Sequence, residues 1–158
     1  MRRVSGYVLA GALLVLPAVT TQGGVFAQAA QQAPQKTLFE GDAVIQAFSV
    51  NPDKTADYEK VISQLKESLT KSAKPEAKQQ AAGWRVFKNA TPNPDGSIVY
   101  VHIISPVVKG ADYSVLNNIY ELVQDPMERI NIYNSYRAAL KQPLFAIQGQ
   151  LVSDFSKP

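Results

Sequence analysis

The stretch GWRVFKNATPNPDGSIVYVHIISPVV, residues 83–108, decides the fold. Two runs rich in β-branched and aromatic residues, Trp84–Lys88 and Ile98–Ile104, flank the cluster Thr91-Pro92-Asn93-Pro94-Asp95-Gly96. Proline presets φ near −65° and Asp-Gly supplies the left-handed position a reversal needs, so the stretch predicts a β-hairpin with a long turn. It also holds the chain's one tryptophan, Trp84, and its one histidine, His102.

Working back toward the N-terminus, residues 74–80 are polar and read as a connection from a helix. In residues 55–72 the apolar side chains Tyr58, Val61, Ile62, Leu65 and Leu69 recur at spacings of three and four, one buried stripe with Lys60, Lys66, Glu67 and Lys71 in solvent. Asn51-Pro52-Asp53 starts that helix, with Asp53 or Thr55 placed to accept from its free N–H groups. Before it, residues 43–50 predict a strand with a heavier face, Val44, Gln46, Phe48 and Val50, and a lighter one.

Beyond the hairpin, residues 112–123 carry Tyr113, Leu116, Ile119, Tyr120 and Val123 at helical spacing. Asp125-Pro126-Met127-Glu128 is a second start signal, with Asp as N-cap, Pro in the first turn and Glu three residues after the cap. The helix that follows, to about residue 141, turns Ile132, Tyr133, Tyr136 and Leu140 inward; after Pro143 a last strand spans residues 144–152. The predicted class is α+β, a ferredoxin-like βαββαβ with a four-stranded antiparallel sheet and helices on one face.

Helices on one face leave the other bare. In either register that face carries residues such as Trp84 and Val86 or Phe87, together with Val101 or Ile104. A large apolar surface of that kind marks an interaction site, and a second copy of the chain in a two-fold dimer closes it most simply.

Over residues 42–154 the chain resembles the dimeric α/β-barrel superfamily, and within it the antibiotic-biosynthesis-monooxygenase-like domains. The resemblance rests on the strand order, on Asn51-Pro52-Asp53 between the first strand and its helix, and on Gly83-Trp84-Arg85-Val86-Phe87 as second strand. It implies a homodimer whose sheets enclose a cavity, which in relatives binds polyaromatic substrates or haem or has no known role. Haem-degrading members use an Asn, a Trp and a helix-borne His together; here the single histidine falls in a predicted strand.

Six residues are the candidate ligand contacts: Gln46, Trp84, Arg85, Tyr100, His102 and Gln148. His102 shares a strand face with Tyr100 and is the one candidate for a general base or haem ligand, set against a half-buried histidine satisfied by a neighbour. Trp84 offers a stacking wall for an aromatic substrate, or a large core or interface side chain. Gln46, Gln148 and Gln150 are polar residues on apolar strands, facing either an internal cavity or solvent. Arg85 shares a face with Phe87 and reads as a salt-bridge partner, or as a receptor for an acidic group. Asn89-Ala90-Thr91 matches a glycosylation sequon, set aside because the leader has a bacterial character.

Composition sets the outer bounds. The chain has 158 residues, enough for one domain, and a net charge of +3. Arg2 and Arg3 supply two of those charges, and without them the rest stands at about +1, so the pI of about 9.1 does not signal a nucleic-acid partner. With no cysteine, thiol nucleophiles, disulfides and Cys-ligated metals are excluded, and one histidine excludes a multi-His metal site within one chain. No metal and no cofactor is expected.

Arg2-Arg3, the apolar run at residues 7–19 and Val25-Phe26-Ala27 form a Sec-type signal peptide, with Ala27-Gln28-Ala29 as a rival cleavage site. The apolar run is too short and too interrupted by Gly11 and Pro17 for a stable anchor. The expected organisation is a signal at residues 1–27, a flexible leader at 28–41 and the domain at 42–154, periplasmic or secreted. The function expected is that of an exported homodimer binding a small apolar or aromatic ligand in its sheet cavity, or serving a non-catalytic role. The alternatives are a cofactor-free monooxygenase acting on an aromatic substrate, with Trp84 and His102 at its centre, and a haem-binding protein.

Overall fold

The computed structural model of the protein describes residues 35–155. The expected signal peptide, and the part of the leader before residue 35, lie outside the described residues. Four strands, β1 (Ala43–Val50), β2 (Trp84–Lys88), β3 (Ile98–Ile104) and β4 (Leu140–Gly149), form one antiparallel sheet in the order β2-β3-β1-β4. Four helices, α1 (Thr55–Lys71), α2 (Pro75–Gly83), α3 (Val115–Tyr120) and α4 (Pro126–Ala139), complete an α+β architecture consistent with the ferredoxin-like pattern. Among these residues no helix is long and apolar enough to cross a membrane.

The hairpin forms as its sequence dictates. Asp95 accepts from the backbone N–H and the hydroxyl of Ser97, Asn93 accepts from Gly96 N–H, and Gly96 takes the positive φ of 79° that other residues avoid. β2 and β3 pair through Trp84↔Ile104, Val86↔His102 and Lys88↔Tyr100, and β1 continues the face with Val44↔Ile104, Gln46↔His102 and Phe48↔Tyr100. That heavier face of β1 is the helix-covered one: Val44, Val50, Ile104, Tyr100 and His102 are buried beneath α1 and the segment around Tyr113.

The alternation of side chains sends Ile45, Phe87, Val99, Val101, Ile103, Phe145 and Ile147 to the opposite side. No helix among the described residues lies over them. Phe87 is 51 %, Phe145 47 % and Ile147 58 % exposed, so the register resolves the bare face to Phe87 and Val101 and places Trp84, Val86 and Ile104 under the helices.

Several boundaries differ from the sequence reading, each for a local reason. Residues 74–80, expected to be a polar connection, begin α2: Pro75 sits in its first turn and Ala77 and Gln80 are buried. α2 runs into β2 with no residue between them, and α4 runs into β4 in the same way. At the first of these joints a Cβ on Gly83 would stand 2.8 Å from the Pro106 carbonyl oxygen, so only glycine fits there. β4 is Leu140–Gly149, four residues earlier at its start than expected, because Pro143 lies at an irregularity on an edge strand and does not end pairing.

At the start of α1 neither Asp53 nor Thr55 caps the helix; a short 3-10 turn, Pro52–Lys54, leads into it. Asp125 caps α4 as expected, accepting from Met127 and Glu128 N–H. Tyr133, expected inward, is exposed, while Tyr136 is half-buried.

The order of the domain also begins earlier than residue 42. Phe39 is buried with its ring 5.1 Å from that of Tyr113, and Thr37 exchanges hydrogen bonds with Asp112 and Tyr113. The end of the expected flexible leader is therefore held against the domain.

Candidate functional site

β2, β3 and α1 bring three polar aromatic side chains together beneath the helices. His102 of β3 is fully buried, and Val86, its register partner, separates Trp84 from Lys88 along β2. The Trp84 indole Nε1–H donates to His102 Nδ1 at 3.1 Å, and His102 Nε2 lies 2.6 Å from the Tyr58 hydroxyl of α1. Tryptophan can only donate, so Nδ1 must accept, and a neutral imidazole then carries its proton on Nε2 and donates it to Tyr58 Oη.

Burial alone pushes the imidazole down from 6.5 to about 4, so it is uncharged at neutral pH. The same burial pushes the Tyr58 phenol well above its ordinary value, so it holds its proton. Both His102 nitrogens are engaged by protein groups, which leaves no free lone pair to take a substrate proton or bind iron in this arrangement.

The network has a measurable consequence. Between about pH 6.5 and pH 4 the unfolded chain protonates this histidine and the native state does not, so stability falls as pH drops through that window. Stability is unaffected above the window, and the total loss across it is about 3 kcal/mol. His102→Gln, which can accept from Trp84 and donate to Tyr58, is expected to remove that component of the slope. Urea midpoints measured across the window for both proteins test this; equal slopes would exclude a buried neutral imidazole.

In front of Trp84 the surface is recessed. A groove of about 560 Å³ runs between α1, α2 and the open edge of β2, bounded by Ile62, Leu65, Lys66 and Leu69, by Ala81 and Ala82, and by Trp84, Arg85 and Val86. Glu59, Ile62 and Val86 continue it to a smaller recess ending at Lys88 and Tyr100. At that end the Tyr100 hydroxyl donates to Glu59 at 2.6 Å, and Lys88 Nζ reaches the same carboxylate oxygen at 2.8 Å. Lys88 and then Tyr100 hold the Glu59 carboxyl below its ordinary range, while burial first and Glu59 second push the Tyr100 phenol up to about 12.

The six sequence-derived candidates therefore separate. Trp84, Tyr100 and His102 converge on the space between sheet and α1, and Gln46 stands beside His102 in the register. Gln148 lies elsewhere and has a structural job: its Oε1 accepts from the N–H groups of Glu40 and Gly41, fastening the chain before β1 to β4. Gln150, beyond β4, is exposed. Arg85 emerges on the bare-face register and borders the groove at the strand's edge, and no ion pair among the described residues uses it, against the expected salt bridge.

Tyr58, Glu59, Ile62 and Lys66 complete the site, and sequence reasoning assigned the first and third to a core stripe and the fourth to solvent. Their signal was present but indirect. A helix that covers the Trp84/His102 face must aim its buried stripe at those two residues. Among the described residues no three His, Asp or Glu side chains cluster closely enough to hold a metal ion.

Compared with protein-family models, curated proteins and solved structures, the chain matches none of them.

Proposed function

We propose that the protein is an exported, homodimeric carrier or sensor of a small apolar or aromatic molecule, built on a dimeric α/β-barrel-like domain and not catalytic. The ligand site is the groove walled by Trp84. The proposed site thus lies between each subunit's own helices and β2, and not in the cavity between two sheets. The bare sheet face is left for the partner subunit.

One observation carries the reading. A recess within the usual 300–1,000 Å³ range of small-molecule sites is lined mainly by apolar side chains and contains the chain's one indole, half-buried. That indole is already fixed by its bond to His102, so a ligand would meet a wall that need not reorganise. The engaged histidine supports binding over turnover.

The neutral dye phenylnaphthylamine tests it. Mixed with the protein, the dye is expected to bind with a blue-shifted emission and to change Trp84 fluorescence. Ala82→Trp, which fills the groove from an exposed position, is expected to abolish both signals, and Trp84→Phe to weaken binding several-fold. Dye binding that survives Ala82→Trp unchanged would place the ligand elsewhere.

A further inference from the structure

The groove has apolar walls and a cationic rim. Ile62, Leu65, Leu69, Trp84 and Val86 supply the walls, and three charged residues border them: Glu59, Lys66 and Arg85. Glu59 is already committed, bound by Lys88 at 2.8 Å and by the Tyr100 hydroxyl at 2.6 Å. Lys66 and Arg85 are exposed, and none of the ion pairs or side-chain hydrogen bonds among the described residues neutralises either of them. The rim is thus left with two unmatched positive charges and no unmatched negative one.

The open edge of β2 adds uncharged backbone donors, set between carbonyls of the same residues. Gly83 C=O accepts from Ser105 N–H and Asn89 N–H donates to Val99 C=O, both toward β3. In an antiparallel pair these directions alternate, so the N–H groups of Val86 and Lys88 point away from β3, out of the open edge that borders the groove, while the Trp84 N–H is taken by the Gln80 carbonyl at the end of α2. An anion at the rim would therefore meet two cations and at least one free backbone donor, and bonds to an ionised acceptor are about twice as strong as neutral ones.

We propose that the groove takes an amphipathic anion, an aliphatic or aromatic carboxylate, with its apolar body against Trp84 and its carboxylate at the Lys66–Arg85 rim. The proposal rests on the groove being the binding site and adds the class of ligand.

Displacement of phenylnaphthylamine by octanoate, octanol and octylammonium at low salt and neutral pH separates charge from apolar contact. Octanoate is expected to bind at least about tenfold more tightly than octanol, and octylammonium more weakly than both. The double variant Lys66→Gln/Arg85→Gln is expected to reduce octanoate to the level of octanol, to weaken octanoate far more than it shifts octanol or the dye, and to leave the urea unfolding curve in place. Octanol binding as well as octanoate, or a carboxylate preference that survives in the double variant, overturns the proposal. If the dye binds and none of the three displaces it, the carboxylate class is overturned and the groove reading stands. If the dye does not bind at all, both fall.

Discussion

Tyr58→Ala is expected to leave the domain largely unfolded at room temperature. The Tyr58 ring is fully buried, 4.6 Å from the ring of Tyr100 and stacked 6.0 Å from that of Tyr136. Truncating a buried aromatic costs about 3–5 kcal/mol, since the cavity relaxes only in part. The same change leaves the buried His102 Nε2–H without its acceptor, at a further cost of about 1–3 kcal/mol. The sum approaches the whole stability of an ordinary domain, about 5–15 kcal/mol. Tyr58→Phe keeps the ring and loses only the polar part, so it should fold and lose about 1–3 kcal/mol. Urea denaturation followed by circular dichroism distinguishes the two; an alanine variant within 2 kcal/mol of the parent, as a rough threshold, would show that this ring does not anchor the sheet to α1.

Ile45→Lys is expected to turn the proposed sheet-to-sheet dimer into a folded monomer. Ile45 sits on central strand β1 between Ile103 and Ile147, 39 % exposed on the face that no helix of the described residues covers, so a lysine there meets solvent in the isolated subunit. Four strands about 4.8 Å apart and about seven residues long make a face of roughly 20 by 23 Å, about 460 Å² in projection, over half of the about 800 Å² of accessible surface that a standard interface removes from each partner. A two-fold dimer would bury the new charge twice, at about 3–5 kcal/mol for each uncompensated ion, and so raise Kd by at least about 10³-fold. Sedimentation at micromolar concentration reads the result. A parent protein that is monomeric there, or a lysine variant that stays dimeric, would remove the sheet-to-sheet assembly.

Apart from α2, the element order was legible because each signal was local. The Asp95-Gly96 reversal, the Asp125 cap and the three-and-four spacing of Tyr58, Val61, Leu65 and Leu69 are written in consecutive residues, and they appear where expected. What was illegible depended on register. Alternation along β2 says only that Trp84 and Phe87 face opposite ways. The pairing of Val86 with His102, and the arrival of α1 over that pair, decides that Trp84 goes inward.

The site followed the same rule. Trp84, Tyr100 and His102 were candidates because rare aromatic and titratable residues stand out in a strand. Tyr58 and Glu59 were not, because Tyr58 looks like any core position and Glu59 like any solvated one until the helix is laid on the sheet. Gln148 misled for a related reason: a polar residue on an apolar strand needs partners, and here they are backbone groups of the chain before β1.

The direct junction of α2 with β2 sets how this groove can move. No residue separates helix from strand, and the Gly83 backbone packs directly against the Pro106 carbonyl, so α2 has no loop there on which to swing away from β2. Entry therefore cannot depend on a hinged flap at that end. If the recess takes the proposed ligand, it is expected to act as a fixed slot that sorts guests by shape and charge at first encounter, with association rates insensitive to solvent viscosity beyond simple diffusion.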